Sequence, residues 1–284
     1  MGNEGYRNYE YDTNLKGESS PAKLLKMVGQ NKRVLELGAG PGSITKHMKF
    51  EQNCEVVALE IDEQAIGKLT PFCDKVIQAN LNDLTWPELL KNEKSFDVIV
   101  IADVLEHIYD PWAALKLLPG LLNDEGYIVI SLPHAGHSGV IASLLLESLD
   151  YRESGLLDKT HIRFFGLKNI QSLLNDNKLD IEEAQYVILP PEVSELSSYW
   201  LSLDVKTRGT LSSYTYGSVY QVVIKAVPRS RSIENINLMA VAVSQLDKKT
   251  QLFLKFKLLL KSLMPKRYYE KLKSKARKLG IKGY

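Results

Sequence analysis

The residues whose types and spacing most clearly indicate ligand binding form a glycine-rich loop near the amino end. The run Glu36-Leu37-Gly38-Ala39-Gly40-Pro41-Gly42 follows a strand-like segment and precedes a helical one. Glycine permits positive φ and the close approach of a ligand, and the first N–H groups of a helix are unpaired. The loop therefore predicts a nucleotide-like ligand. A dinucleotide fingerprint requires glycine where Ser43 stands, so the spacing G-x-G-x-G fits better and disfavours a nicotinamide cofactor.

An acidic residue, Glu60, ends the next strand-like run. In an open α/β sheet, ligands bind outside the carboxyl ends of the strands, so this carboxylate is expected beside the glycine loop. A carboxylate in that place accepts hydrogen bonds from both hydroxyls of a ribose. The loop and Glu60 together predict a nucleoside site.

Such a site needs a sheet that aligns its strand ends. Short, nearly continuous apolar runs are typical of strands buried on both faces of a parallel sheet. We predict strands at Arg33–Leu37, Glu55–Glu60, Lys75–Ala79, Phe96–Ile101, Gly126–Leu132, Ile181–Leu189 and Val219–Val227. We predict helices at Ile44–Phe50, Gln64–Leu69, Pro111–Leu118 and Leu167–Leu174. This alternation indicates an α/β fold with a doubly wound, mostly parallel seven-stranded sheet.

The last two strand-like runs are separated by a polar stretch without an obvious crossover helix. They are therefore expected to pair as an antiparallel hairpin, with an antiparallel last strand. The insertion from Pro190 to Ser218 is longer than an ordinary loop and rich in Ser and Tyr. Its length predicts a functional, partly helical or mobile segment.

The glycine loop, Glu60 and the segment Phe96–His107 together resemble class I S-adenosylmethionine-dependent methyltransferases over residues 30–228. The resemblance implies a Rossmann-like methyltransferase fold and S-adenosylmethionine as cofactor. Glu36 would engage the methionine amino group, Glu60 the ribose, and Asn80 with Leu81 the adenine. Many family members have Asp where Asn80 stands, and the Asn80 carbonyl can still accept a hydrogen bond from the adenine amine. The implied cofactor-binding residues are Glu36, Gly38, Gly40, Gly42, Glu60, Ile61, Asn80, Leu81 and Ala102.

A second stretch narrows the resemblance. Residues 155–165 and His134 are similar to the branch of the family associated with bacterial surface-glycan and O-antigen gene clusters. The stretch 155–165 includes Asp158, His161 and Arg163. That branch implies methylation of an oxygen on a glycan or lipid-linked glycan. Many of its members carry Asn where His134 stands.

Methyl transfer to a hydroxyl needs an aligned acceptor and a group that removes its proton. Candidates lie beyond strand ends, which selects Asp103 and His107 after the fourth strand and His134 and His137 after the fifth. We rank His161 first as catalytic residue, then His107, then Asp103, and assign His134 and Arg163 to the substrate. An unperturbed imidazole can take a hydroxyl proton, and Arg163 suits a phosphate or carboxylate.

Structural roles compete with these assignments. His107 also suits a capping or packing role at a helix start. Asp158 and Arg163 would also make an ion pair that ties a lid to the sheet. Asp103 would also serve simply to close the cofactor pocket.

Nucleic acid is disfavoured as the acceptor. After the fourth strand the chain reads Ile101-Ala102-Asp103-Val104, without the Asp/Asn-Pro-Pro-aromatic motif of enzymes that methylate base amines. Neither Cys54 nor Cys73 follows a proline, so a cytosine C5 nucleophile is missing. The two cysteines are predicted to be packing residues, and no spacing of ligands indicates a metal site.

Charge divides the chain after Pro228. The formal net charge of the whole chain is only +2. From Arg229 onward there are 15 Lys and Arg residues against 3 Asp and Glu, whereas residues 1–228 contain 21 Lys and Arg against 31 Asp and Glu. We therefore predict a methyltransferase domain over 1–228, a linker at Pro228–Ser232, and a basic helical tail over 229–284. Apolar residues from Leu252 to Leu263 recur every three or four positions, which predicts an amphipathic helix.

The tail favours attachment to an anionic membrane surface through residues 250–284. Docking to a partner protein, RNA binding and a solvated charge run are the alternatives. No apolar run is long enough to span a membrane, and the amino end lacks a secretory signal. The sequence thus predicts a cytoplasmic protein, peripheral at the inner membrane face.

Three functions remain open at this point. The first is O-methylation of a glycan or lipid-linked glycan in cell-surface polysaccharide biosynthesis. The second is O-methylation of a small lipophilic molecule such as a quinone precursor, which would also suit a membrane-seeking tail. The third is a non-catalytic subunit that binds the cofactor.

Overall fold

A computed structural model describes residues 17–244, together with Leu252 and Phe256. Seven strands form one sheet in the order β3-β2-β1-β4-β5-β7-β6. Their bounds are β1 Arg33–Leu37, β2 Glu55–Glu60, β3 Lys75–Gln78, β4 Phe96–Ala102, β5 Leu122–Pro133, β6 Leu179–Ile188 and β7 Val219–Pro228. The first five strands are parallel, whereas β7 runs antiparallel to both β5 and β6. The predicted fold class is confirmed.

Eight α-helices lie within residues 17–244. They are α1 Ser20–Val28, α2 Thr45–Phe50, α3 Glu63–Leu69, α4 Pro111–Lys116, α5 Ser138–Leu145, α6 Leu167–Asp176, α7 Ser197–Ser202 and α8 Val205–Ser212. Short 3-10 turns lie at Thr70–Phe72, Trp86–Leu90, Leu105–His107, Leu118–Leu121 and Leu238–Ala240. The predicted helix over Pro111–Leu118 ends as an α-helix at Lys116, since Pro119 cannot continue the regular hydrogen bonding.

Alternate residues of the central strands supply the two apolar layers of the core. On β1, Val34 belongs to the cluster that α1 and α2 cover, and Leu35 to the larger cluster that α4 and α6 cover. β4 divides in the same way, with Val98 on the first side and Ile99 on the second. Both faces are therefore buried, which explains why these strands read as continuous apolar runs.

The insertion predicted as partly helical contains α7 and α8. Leu196 and Trp200 from it share a buried apolar cluster with Val140 of α5 and Leu157. This cluster lies apart from the main core. It fixes the insertion to the loop of residues 146–166 that follows α5.

Residues 229–241 correct the linker predicted for Pro228–Ser232. The Arg231 guanidinium donates to the carbonyl of Gly126 at 2.8 Å, and Arg229 pairs with Asp180 at 2.9 Å. Leu238 is fully buried in the main core. The first part of the predicted 229–284 tail therefore packs against the sheet.

The predicted amphipathic helix falls outside the described residues, apart from Leu252 and Phe256, which are helical and exposed. Within the described part of the chain, no helix is long and apolar enough to cross a bilayer. Cys54 is buried and Cys73 half-buried, and neither takes part in a disulfide.

Candidate active site

A cleft of about 830 Å³ opens at the carboxyl ends of the parallel strands. One half is lined by the loop after β1, the end of β2 and the loop after β3. The other half is lined by the loop after β4 and by residues 154–162, with Tyr220 and Gln221 of β7. We call these the cofactor half and the acceptor half.

The glycine loop turns sharply at the floor of the cofactor half. The Gly38 and Ala39 N–H groups both donate to the Leu59 carbonyl, at 2.8 and 3.2 Å. Gly38 has φ +68°, and a Cβ atom on it would lie 2.7 Å from Val104 Cγ2. Only glycine fits this position without strain or displacement of Val104. Gly42 also has positive φ but lies behind the loop, outside the cleft lining.

Glu60 fixes the shape of this loop from the end of β2. One carboxylate oxygen accepts a hydrogen bond from the Gly40 N–H at 2.7 Å, and the other from the Ile61 and Asp62 N–H groups at 2.8 and 2.9 Å. Glu60 is buried yet lines the cleft. A carboxylate oriented in this way can accept further hydrogen bonds from hydroxyls of a bound nucleoside.

Glu36, on β1, lies under the same loop. Its carboxylate accepts a hydrogen bond from Thr45 Oγ1 at 2.6 Å, and its side chain is buried. Burial raises the pKa of Glu36 to about 8, the Thr45 hydrogen bond opposes this shift, and the nearby Glu60 carboxylate adds to it. A positive charge in the cleft would favour the ionised form of Glu36.

Four further predicted cofactor-binding residues lie around this half: Ile61, Asn80, Leu81 and Ala102. Ile61 presents an exposed apolar side chain beside Glu60. The Asn80 side-chain carbonyl accepts the Asn82 N–H at 3.0 Å, so this oxygen already has a backbone partner. The Asn82 side-chain oxygen in turn accepts the Tyr109 N–H at 2.8 Å. This bond ties the loop after β3 to the acceptor half.

Asp103 stands between the two halves, directly after β4. It has φ +54°, a left-handed conformation that costs energy for a residue with a Cβ atom. Its carboxylate accepts hydrogen bonds from Ser131 Oγ at 2.9 Å and from Gln221 Nε2 at 3.0 Å. Burial raises the pKa of Asp103, and these two hydrogen bonds oppose that shift.

His107 and His161 meet in the acceptor half, although a long stretch of chain separates them. Their ring centroids are 4.8 Å apart, in an edge-to-face arrangement. His107 Nδ1 lies 3.1 Å from the Thr160 carbonyl oxygen, and His161 Nδ1 lies 3.3 Å from that of Leu156. The structure therefore brings together all three residues predicted as catalytic, Asp103, His107 and His161.

Glu106 is a residue of this half that the sequence analysis missed. Its side chain is fully buried, and His161 Nε2 lies 3.9 Å from its Oε1 atom. Burial, with a contribution from Asp103, raises the pKa of Glu106 well above its usual value. The signal was present in the sequence, because Glu106 directly precedes His107 in the motif after β4.

The two residues predicted to bind substrate are not part of the cleft lining. His134 is buried, with Nδ1 3.0 Å from the Val219 carbonyl oxygen, and burial lowers the pKa of His134 to about 4. Arg163 is exposed and donates to the Tyr109 carbonyl, so the Asp158–Arg163 ion pair is not formed. Asp158 instead accepts from the Thr160 N–H at 2.8 Å. His137, considered beside His134, is also buried, with Nε2 2.8 Å from the Leu189 carbonyl oxygen.

The insertion after β6 holds the loop that carries His161. A Glu195 carboxylate oxygen accepts the Leu156 N–H at 2.9 Å and the Tyr220 hydroxyl at 2.8 Å. Burial, together with the charge of Glu195, raises the pKa of Tyr220 well above its usual value. Glu195 thus connects residues 155–161 to β7.

Comparison with known proteins identifies the family. A family model described as a methyltransferase domain matches residues 8–184, more than half of the chain. The chain belongs to this methyltransferase family. Solved methyltransferase structures share its fold. One is an S-adenosylmethionine-dependent methyltransferase of Thermotoga maritima, described as a possible histamine N-methyltransferase. It has a TM-score of 0.50 at 18% identity, and the match covers 74% of this chain and 87% of that protein. A putative methyltransferase of Bacillus halodurans has a TM-score of 0.50 at 17% identity, covering 72% and 97%.

Sequence relatives are also methyltransferases. An uncharacterized methyltransferase of Schizosaccharomyces pombe is 28% identical over 120 residues, which cover 39% of this chain and 43% of that protein. A ubiquinone biosynthesis O-methyltransferase of Bradyrhizobium diazoefficiens is 24% identical over 161 residues, covering 56% and 62%. The chain thus matches less than two thirds of the length of these relatives.

The family and the fold are those of methyltransferases, for which the sequence resemblance implies S-adenosylmethionine as cofactor. The cofactor half fits this molecule, because the Glu60 carboxylate can accept hydrogen bonds from ribose hydroxyls and Glu36 is available to a cationic amino group. The acceptor half carries the ionisable side chains of Asp103, Glu106, His107 and His161.

Proposed function

We propose that this methyltransferase methylates a hydroxyl oxygen of a glycan, in particular of a lipid-linked glycan. The observation that carries the proposal is the composition of the acceptor half. Asp103, His107 and His161 form its polar floor, and the exposed side chains of Tyr109 and Ile162 form an apolar outer edge. A polar floor with an apolar edge suits an acceptor that combines a hydroxyl group with a lipid.

The chain's own residues would divide the work as follows. Glu36, Glu60 and the glycine loop hold S-adenosylmethionine, which supplies a methyl group on a positively charged sulfur. The acceptor oxygen, held beside Asp103, forms the new C–O bond as the C–S bond breaks. His161 or His107 takes the hydroxyl proton, since a neutral imidazole is a suitable base near neutral pH.

The basic tail supports a lipid-linked acceptor as well. We propose that residues 250–284 attach the enzyme to an anionic membrane surface, with docking to a partner protein as the alternative. Truncation after Ser244 tests this, because it keeps residues 229–241, which pack against the sheet. The truncated enzyme should lose binding to vesicles containing anionic lipid and keep its binding of S-adenosylmethionine. Unchanged vesicle binding would contradict the membrane role.

A second acceptor is a small lipophilic phenol such as a quinone precursor. It is favoured by two relatives that are named ubiquinone biosynthesis O-methyltransferases, of Bradyrhizobium diazoefficiens and Neisseria meningitidis. The apolar edge of the acceptor half suits such a molecule too.

One labelling experiment separates the two acceptors. The enzyme and S-adenosylmethionine with a labelled methyl group are added to cell extract, which is then separated into polymer, lipid-soluble and aqueous fractions. Label in polysaccharide or glycolipid supports the glycan. Label in a small lipophilic product supports the quinone precursor. Label only in a nitrogen-linked product would contradict O-methylation altogether.

A further inference from the structure

Glu106 is a fully buried carboxylate that faces the cleft. Neither of its carboxylate oxygens has a hydrogen-bond partner on any other residue of 17–244. Carboxylates withdrawn from water are normally hydrogen-bonded, paired with a charge or bound to a metal ion. The arrangement around Glu106 therefore calls for a ligand.

The two neighbouring imidazoles are oriented in a way that suits metal binding. His107 Nδ1 and His161 Nδ1 each lie within hydrogen-bond distance of a backbone carbonyl oxygen, of Thr160 and Leu156 respectively. A carbonyl only accepts, so each Nδ1 carries the proton and each Nε2 carries the lone pair. Metal-binding histidines are commonly fixed by this same bond from the second ring nitrogen to a carbonyl.

We propose that Glu106, His107 and His161 bind one divalent transition-metal cation, such as Zn²⁺ or Mn²⁺. Their ligand atoms all lie within 4.8 Å of one another, and the pair His161 Nε2 and Glu106 Oε1 is separated by 3.9 Å. Two ligands at bonds of about 2.1 Å lie at most about 4.2 Å apart, so this pair is already within range. Two imidazoles and a carboxylate are a donor set that such cations prefer.

The charges around the cluster favour a cation. Asp103 and Asp158 line the same half of the cleft as Glu106. Lys159 also lines it, but its ammonium group pairs with Glu153 at 2.9 Å. The Arg163 guanidinium is directed to the Tyr109 carbonyl. Three carboxyl groups thus line this half, whereas Lys159 and Arg163 have other partners.

The role of this cation in the reaction rests on the proposed function. Three protein ligands leave a coordination position for the acceptor oxygen. Coordination would lower the proton affinity of the acceptor hydroxyl, as a metal ion does for bound water. With the cation bound, His107 and His161 would act as ligands in place of the base role given above, and the hydroxyl proton would pass to Asp103 or to solvent as the C–O bond forms and the C–S bond breaks.

Metal binding is tested on the full-length enzyme without any acceptor, so its outcome is independent of the proposed reaction. Metal-free enzyme is titrated with Zn²⁺ and with Mn²⁺ by calorimetry, and bound metal is counted by mass spectrometry after dialysis. We expect one equivalent. Glu106→Gln and His161→Asn should each weaken binding at least about 100-fold, while binding of S-adenosylmethionine stays within about twofold and shows that the variants fold.

His47→Gln is the matched control. His47 lies on the helix α2, away from the cleft, and pairs with Glu51, the residue that directly follows this helix. This variant should bind one equivalent with wild-type affinity. The proposal is overturned if wild-type enzyme binds neither cation, if Glu106→Gln binds as tightly as wild type, or if His47→Gln removes the bound metal.

Discussion

The two halves of the cleft are built on different principles. In the cofactor half, ligand contacts come from backbone N–H groups and from carboxylates at adjacent strand ends, and Glu60 bonds three amides of its own neighbourhood. In the acceptor half, ionisable side chains come from separate loops, and the Glu106 carboxylate has no hydrogen-bond partner on any other described residue. The first half is therefore held in shape by its own hydrogen bonds. The second contains a buried carboxylate that the surrounding residues leave unsatisfied.

Replacing Glu60 should have the largest effect, because it removes the centre of the cofactor half. Glu60→Ala deletes the carboxylate for the ribose and leaves the Gly40, Ile61 and Asp62 N–H groups without their partner. Two charge-assisted hydrogen bonds are worth about 3 kcal/mol together, so we expect at least about a 100-fold loss of S-adenosylmethionine affinity and of turnover. Calorimetry and methyl-transfer assays measure both.

Glu55→Ala is the control at the opposite end of β2, where Glu55 is exposed and pairs with Arg33. It should change neither quantity by more than about twofold. Wild-type affinity in Glu60→Ala would refute the cofactor half as described.

His161→Asn tests the acceptor half. We expect kcat to fall about 100-fold, as for loss of an acid–base group or of a metal ligand, while S-adenosylmethionine affinity stays within about twofold. Steady-state kinetics and calorimetry separate the two. His47→Gln should leave both unchanged. If His161→Asn lowers cofactor affinity and kcat together, the two halves are not independent.

Glu36 makes cofactor binding depend on pH. Without ligand the pKa of Glu36 is raised to about 8, chiefly by burial, so the side chain is mostly protonated at pH 7. Binding of the cationic cofactor favours the carboxylate and releases a proton. Affinity should therefore rise with pH between about 6 and 8, by at most about tenfold per unit. Calorimetry in buffers of different ionisation enthalpy measures the proton release.

The same residue affects the stability of the unliganded enzyme, with the opposite sign. Because the folded-state pKa of Glu36 lies above its unfolded value of 4.5, the folded state binds more protons between about pH 4.5 and 8. The free energy of unfolding should fall as pH rises through this window. Glu36→Gln should flatten both pH profiles. Wild-type pH dependence in that variant would assign the effect to another group.

Tyr220→Phe should have the smallest effect and should be confined to the acceptor half. It removes the hydroxyl that donates to Glu195, a hydrogen bond to a charged group worth about 1.5 kcal/mol. We expect the KM of the acceptor to rise about fivefold to tenfold, with S-adenosylmethionine affinity unchanged. Tyr186→Phe removes a comparable hydroxyl, which bonds the Leu238 carbonyl away from the cleft. An equal change in acceptor KM for both variants would show a general loss of stability.

The cofactor half was the more predictable one for a physical reason. The glycine loop, Glu36 and Glu60 belong to one strand–loop–helix–strand segment, where local sequence fixes which residues reach the strand ends. The α/β alternation likewise predicted the doubly wound, mostly parallel sheet. The assignments of Ile61, Asn80, Leu81 and Ala102 as cofactor contacts stay predictions, consistent with their positions around the cleft.

The acceptor half was less predictable because its residues are brought together by packing. The rule that ligands lie beyond strand ends selected His134, but the residue after β5 turns inward and its ring bonds the Val219 carbonyl of the neighbouring strand. Likewise, nothing local indicates that Gln221 reaches Asp103 across the sheet. The helices α1 and α5 were missed, and in α5 the run of apolar residues gives only a weak amphipathic signal.

The link from Gln221 to Asp103 also bears on the order in which the site assembles during folding. It closes a loop of 118 residues, whereas the bond from Gly40 to Glu60 closes a loop of 20. The longer loop costs about 1.6 kcal/mol more in chain entropy. We therefore expect the nucleoside pocket to form early, and the residues that select the acceptor to reach their places only when β7 inserts between β5 and β6.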